Sequence, residues 1–196
     1  MDLPILEMSV EGSGDVGIKC MSLVNSPAIQ VGWIAFEEHQ VKFAIENEDE
    51  RIVFGAVLIP DQKIYRKDER MGEYYVTATA KSIRAIREQF FKSQNTTQVN
   101  TEHKGGKVDA FLLESFISDS SKGISNPKPF ETLPDGTWFV GYKIEDEKIW
   151  NDVKTGKFLG FSLEGNFNLT PVNLSEEERL IFELTDFIES KLNSLK

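Results

Sequence analysis

Seven short segments rich in Val, Ile, Phe and Tyr, each closed off by turn residues, constrain this chain more than any other feature. They run over residues 17–25, 40–45, 51–59, 73–79, 108–117, 137–144 and 158–168. Segments of that length and composition read as β-strands. Helical periodicity interrupts them in three places. Over 80–91, Ile83, Ile86 and Phe90 share one side while Arg84, Arg87 and Glu88 take the other, and Thr79 is placed to cap the start. A short helix is predicted over 146–153, stopped by Gly156. The run Ser175-Glu176-Glu177-Glu178 is a capping box that opens an amphipathic helix through Leu180, Ile181, Leu184, Phe187, Ile188 and Leu192.

Strands and helices do not alternate regularly, which excludes a doubly wound dinucleotide-binding sheet. The expected class is α+β, mostly β: a mainly antiparallel β-barrel of about seven strands, or a strongly bent sheet, flanked by helices. Residues 1–16, with Pro4 and Gly12-Ser13-Gly14, read as a flexible N-terminal arm. The barrel domain is expected over 17–170. The helix of 171–196 is expected to pack on the barrel or to lie at a homodimer interface. The strand over 108–117 is nearly continuous in apolar residues, so both of its faces are expected to be covered.

Composition narrows the function. The formal net charge is −10, which argues against direct nucleic-acid binding, because that depends on Lys and Arg neutralising phosphates. No apolar run approaches the roughly 20 residues of a membrane span. Cys20 is the only cysteine, so an internal disulfide and a multi-thiolate zinc site are both excluded. Its apolar strand suits a buried, inert thiol. The two histidines lack the spacing of a metal-binding pair, and no metal or cofactor is expected.

Two stretches have the residue types that acyl-transfer chemistry needs. Asn100-Thr101-Glu102-His103 lies just before the strand over 108–117, and Gly160-Phe161-Ser162-Leu163-Glu164-Gly165 lies within the strand over 158–168. An imidazole such as His103 can act as a base near neutral pH. His39 sits in an acidic stretch and reads as a solvated loop residue. Ser162 shares a strand face with Gly160 and Glu164. It does not stand in a strand-turn-helix elbow, so an α/β-hydrolase site is not indicated. A carboxylate is needed to orient the imidazole. By alternation, Glu114 falls on an apolar strand face, where a charge needs a partner; Asp119 and Glu164 are the other candidates.

The ordered set of motifs resembles the XkdF-like phage prohead proteases. The resemblance rests on Leu23-Val24-Asn25-Ser26-Pro27-Ala28-Ile29, on Gly55-Ala56-Val57-Leu58-Ile59-Pro60-Asp61 with Ile64-Tyr65-Arg66-Lys67-Asp68, and on His103. Glu114-Ser115-Phe116-Ile117, Gly136-Thr137-Trp138-Phe139-Val140-Gly141 and the Ser162 segment then follow in the family's order. The resemblance implies a fold like the herpesvirus assemblins and a serine endopeptidase with Ser162 as nucleophile, His103 as general base and Glu114 as the third member. It further implies action in the host cytoplasm, inside the assembling prohead, on capsid-protein extensions, scaffold and the enzyme itself. Activity as a homodimer is implied by the same analogy. The rival class is a catalytically inactive barrel serving as a capsid- or scaffold-associated structural protein.

Overall fold

The computed structural model describes residues 3–11, 16–25, 44–47, 50–68, 71–104, 106–172, 174–177, 180–182, 184–185 and 188. Among them eleven strands form three separate sheets. The strands are β1 (Ile5–Ser9), β2 (Gly17–Val24), β3 (Ala44–Asn47), β4 (Ile52–Leu58), β5 (Ile64–Asp68) and β6 (Gly72–Thr77). After them come β7 (Val99–Thr101), β8 (Ala110–Ile117), β9 (Trp138–Ile144), β10 (Gly160–Asn166) and β11 (Asn168–Pro171). The sheet orders are β11-β1-β6-β5, β10-β2-β7 and β3-β4-β9-β8. The class is mostly β, as expected, but none of the sheets closes into a barrel. The sheets meet instead through side chains: one core cluster joins Leu6, Met21, Val53, Val76, Tyr142 and Phe161, drawn from all three.

Helices α1 (Ala80–Lys92) and α2 (Glu147–Lys154) stand where periodicity places them. Thr79 Oγ1 accepts from the Ser82 amide at 3.2 Å, and Asp146 does the same for Ile149 at 2.9 Å. These bonds satisfy donors that a helix start leaves open. Ile83, Ile86 and Phe90 of α1 are fully buried. The described residues from 176 to 188 are helical; Phe182 packs against the core, whereas Leu180, Ile181, Leu184 and Ile188 are exposed. Among the described residues, no helix is long and apolar enough to cross a membrane.

Three expectations need correction. The segment read as a flexible arm contains β1, an interior strand that pairs antiparallel with β11 and parallel with β6 and buries Leu6 and Met8. The strands with both faces covered are β4, buried along its whole length, and β9; on the second side Phe54 and Ala56 pack with Phe130 and Phe139. By contrast, β8 lies at the sheet's edge with an exposed middle. It also carries a bulge: Leu112 faces Tyr142 and Glu114 faces Gly141, so Leu113 is an extra residue. One inserted residue reverses the alternation. Glu114 therefore leaves the main-core face of Leu112 and Tyr142 for the face of Gly141 and Phe116, where it is exposed.

A second bulge falls between Glu164 and Gly165, where β10 pairs with β2. A Cβ on Gly165 would lie 2.2 Å from the Gly17 carbonyl oxygen and 2.9 Å from Ile18 Cα. Both contacts are backbone, so no side-chain motion relieves them. Gly165→Ala is expected to destabilise the protein by about 1–3 kcal/mol, read as a lower denaturant midpoint. An unchanged midpoint would show that β10 and β2 can separate here at no cost.

Candidate active site

The sheet β10-β2-β7 builds the site through its register. Ser162 on β10 stands opposite Ser22 on β2, and Ser22 stands opposite Asn100 on β7. The three side chains form a row across one face of the sheet. Glu164, two residues beyond Ser162, points to the same face because strand side chains alternate. The row is buried at its centre, with Ser22 at 0% and Ser162 at 5% exposure.

His103 enters from a tight turn directly after β7. The Lys104 amide donates to the Thr101 carbonyl at 2.9 Å, and both central residues, Glu102 and His103, have positive φ, at 53° and 54°. Left-handed backbone costs about 1–2 kcal/mol per non-glycine residue. Two bonds hold it in place: the Glu102 amide donates to the Leu23 carbonyl at 3.0 Å, and Glu102 Oε1 accepts from the Asn25 amide at 2.6 Å. The turn thereby projects the imidazole back over the row it has just left.

His103 Nε2 lies 2.9 Å from Ser162 Oγ. On the other side of the ring, Nδ1 lies 3.1 Å from Glu164 Oε1 and 3.2 Å from Ser22 Oγ. Glu164 Oε1 also accepts from Ser22 Oγ and from Asn100 Nδ2, each at 2.6 Å, while Ser22 Oγ contacts Asn100 Oδ1. Burial pushes the Glu164 carboxyl pKa up, but the hydrogen bonds from Ser22, Asn100 and His103 outweigh it and hold the group below its usual range. An ionised Glu164 accepts a hydrogen bond from Nδ1–H, which leaves the Nε2 lone pair facing the Ser162 hydroxyl. That is the tautomer a general base needs.

The expected residues thus separate. His103 and Ser162 are brought together, and Glu164, one of the alternative carboxylates, stands at the imidazole. Glu114 does not. It lies on β8 in a different sheet and lines a groove with Arg87, Phe91 and Ser115. Its neighbour Ser115 accepts from Arg87 Nε at 3.0 Å and from Trp138 Nε1 at 2.9 Å, a bracing role for the Glu-Ser-Phe-Ile motif. Asp119 is engaged with Ser121 and Lys122. His39 lies outside the described residues.

Nothing in the sequence assigns a role to Ser22, or to Asn100 within its stretch. The available signal was a lone hydroxyl in the apolar run Met21-Ser22-Leu23, since a fully buried serine needs a partner. Cys20, on the same face as Ser22, is half-buried; burial first, and then the Glu164 charge, push its thiol up to about 11. It is therefore protonated at neutral pH and a poor nucleophile. Among the described residues, no group of three or more His, Cys, Asp and Glu side chains is placed to hold a metal ion.

A hydroxyl, an imidazole and a carboxylate in this order are the residue types found in hydrolase sites that work through an activated serine. Residues 40–170 match the family described as "Putative phage serine protease XkdF". The chain belongs to that family. No curated protein and no solved structure matches it.

Proposed function

We propose that this protein is a prohead serine endopeptidase that cleaves scaffold, capsid-protein extensions and its own chain by acyl transfer, acting in the host cytoplasm within the assembling phage head. The observation that carries the reading is the 2.9 Å approach of His103 Nε2 to Ser162 Oγ, with Glu164 Oε1 at 3.1 Å on the far side of the ring. Membership of a phage serine protease family supports it.

In this mechanism His103 Nε2 takes the Ser162 hydroxyl proton as Oγ attacks the scissile carbonyl carbon. The imidazolium that forms is stabilised by the Glu164 carboxylate, which stays ionised throughout. The tetrahedral intermediate collapses when His103 passes its proton to the leaving amine, and the acyl group remains on Ser162. Water then attacks the ester with His103 again as base, releasing the acid and restoring the hydroxyl. Ser22 and Asn100 touch no reacting atom; they position Glu164.

A serine-directed fluorophosphonate tests the reading. The wild-type protein is expected to gain one covalent adduct, mapped to Ser162 by peptide mass spectrometry, and Ser162→Ala and His103→Ala are both expected to lose it. A folded wild-type protein that stays unlabelled, or is labelled at another serine, would falsify the proposal.

A further inference from the structure

A cavity of about 360 Å³ opens beside Ser162, between the β11-β1-β6-β5 sheet and strand β10. Its walls are mainly apolar, with Met8, Val57, Ile64, Val76 and Leu169 among them. Arg66 is the one charged residue among its described lining residues. The pleat of β5 puts it there. Ile64 and Arg66 share the inward face, while Tyr65 and Lys67 take the other, where Tyr65 packs edge-on against Tyr75 and Lys67 pairs with Glu73 at 3.0 Å.

A guanidinium on an inward face ordinarily has a carboxylate or several carbonyls around it, because desolvating a charge without partners is costly. Among the described residues, Arg66 has one hydrogen bond, from Nη1 to the Tyr65 carbonyl at 3.0 Å, and no ion pair. Burial lowers its pKa, and a Coulombic interaction with Tyr74 opposes that shift only in part. Arg87 provides the contrast: it donates from Nε and Nη2 to Ser115 and lies 4.9 Å over the Phe91 ring. Among the described residues, the rest of the Arg66 planar donor fork has no hydrogen-bond acceptor, in a cavity whose wall includes Ser162.

We infer that this cavity is the substrate side-chain pocket, and that Arg66 selects an acidic residue, glutamate or aspartate, next to the scissile bond. The inference rests on the reading of Ser162 as nucleophile. Apolar walls would hold the methylene stem of the substrate side chain, and its carboxylate would meet the guanidinium fork, a geometry that favours two parallel hydrogen bonds. An uncharged isostere would leave the half-buried cation without a counter-charge, so discrimination follows from the enzyme's own partly desolvated charge. Arg66 is a specificity-determining residue here, and it takes no part in proton transfer.

The test is to digest a random-sequence peptide mixture with the full-length protein and to read the cleavage sites by mass spectrometry. Paired kcat/KM measurements on one peptide bearing Glu or Gln at the selected position complete it. Wild-type cleavage is expected to be enriched for Glu and Asp at one position flanking the cut, with Glu favoured over Gln by roughly 10- to 100-fold. Arg66→Gln is expected to abolish that preference while retaining fluorophosphonate labelling of Ser162, and Arg66→Glu to shift selection toward Lys and Arg. Wild-type sites without acidic enrichment overturn the inference even if neither variant folds. An equal loss on Glu and Gln peptides in Arg66→Gln also overturns it, because Arg66 would then serve the reaction or the fold and not selection. A wild-type protein that neither labels nor cleaves removes the protease reading and this inference together; labelling without acidic preference removes only the inference.

Discussion

Ser162→Ala is expected to lower the turnover number by about 10⁶-fold, the scale on which serine proteases lose activity when the nucleophile is removed. The fold is expected to survive. Among the described residues, Ser162 Oγ has one side-chain partner, His103 Nε2, and losing one such hydrogen bond changes stability by about 1 kcal/mol. The replacement is smaller than the original, so nothing in the strand pair β10–β2 has to move. Cleavage of a peptide or capsid-protein substrate measures the first effect, and a thermal melt measures the second. His103→Ala should match the loss in turnover, since nucleophile and base act as one unit and their effects do not add. Residual cleavage near the wild-type rate in either variant, with the fold intact, would remove Ser162 or His103 from the chemistry.

Two glutamates separate the geometric account from the motif-based one. Glu164→Gln is expected to cost roughly 10³–10⁴-fold in kcat, comparable to removing the charge of the third residue in other serine proteases. The amide keeps the shape but cannot balance an imidazolium. It also meets donors already aimed at Oε1 by Ser22 and Asn100, so its own NH₂ group competes for position. Glu114→Gln is expected to leave the rate unchanged, because Glu114 is an exposed residue in another sheet. Steady-state kinetics on both variants decide the matter. A large loss in Glu114→Gln with wild-type behaviour in Glu164→Gln would mean that the catalytic arrangement differs from the one described.

Much of the fold was legible along the chain. The helix over 80–91 followed from Ile83, Ile86 and Phe90 at helical spacing behind Thr79, and it spans Ala80–Lys92. The strands expected over 51–59 and 137–144 are β4 and β9, long apolar runs whose centres are buried. The N-terminal strand was missed because β1 is short and both its neighbours are distant in sequence, at 168–171 and 75–77. Closure into a barrel was over-read for a related reason. Strand composition reports that a segment pairs, not with which segment it pairs.

Composition and spacing by themselves determined the class, the helices and the two stretches that hold His103 and Ser162. Local chemistry dictates those, since propensity, capping and period act over a few residues. Only the tertiary structure decided which carboxylate serves the imidazole. That choice depends on a one-residue bulge at Leu113, which turns Glu114 outward, on the parallel pairing that sets Asn100 beside Ser22, and on the left-handed turn that aims His103 at Ser162. Each is a matter of register between strands far apart in the chain. A shift of one residue in any of them reverses the face on which a side chain stands.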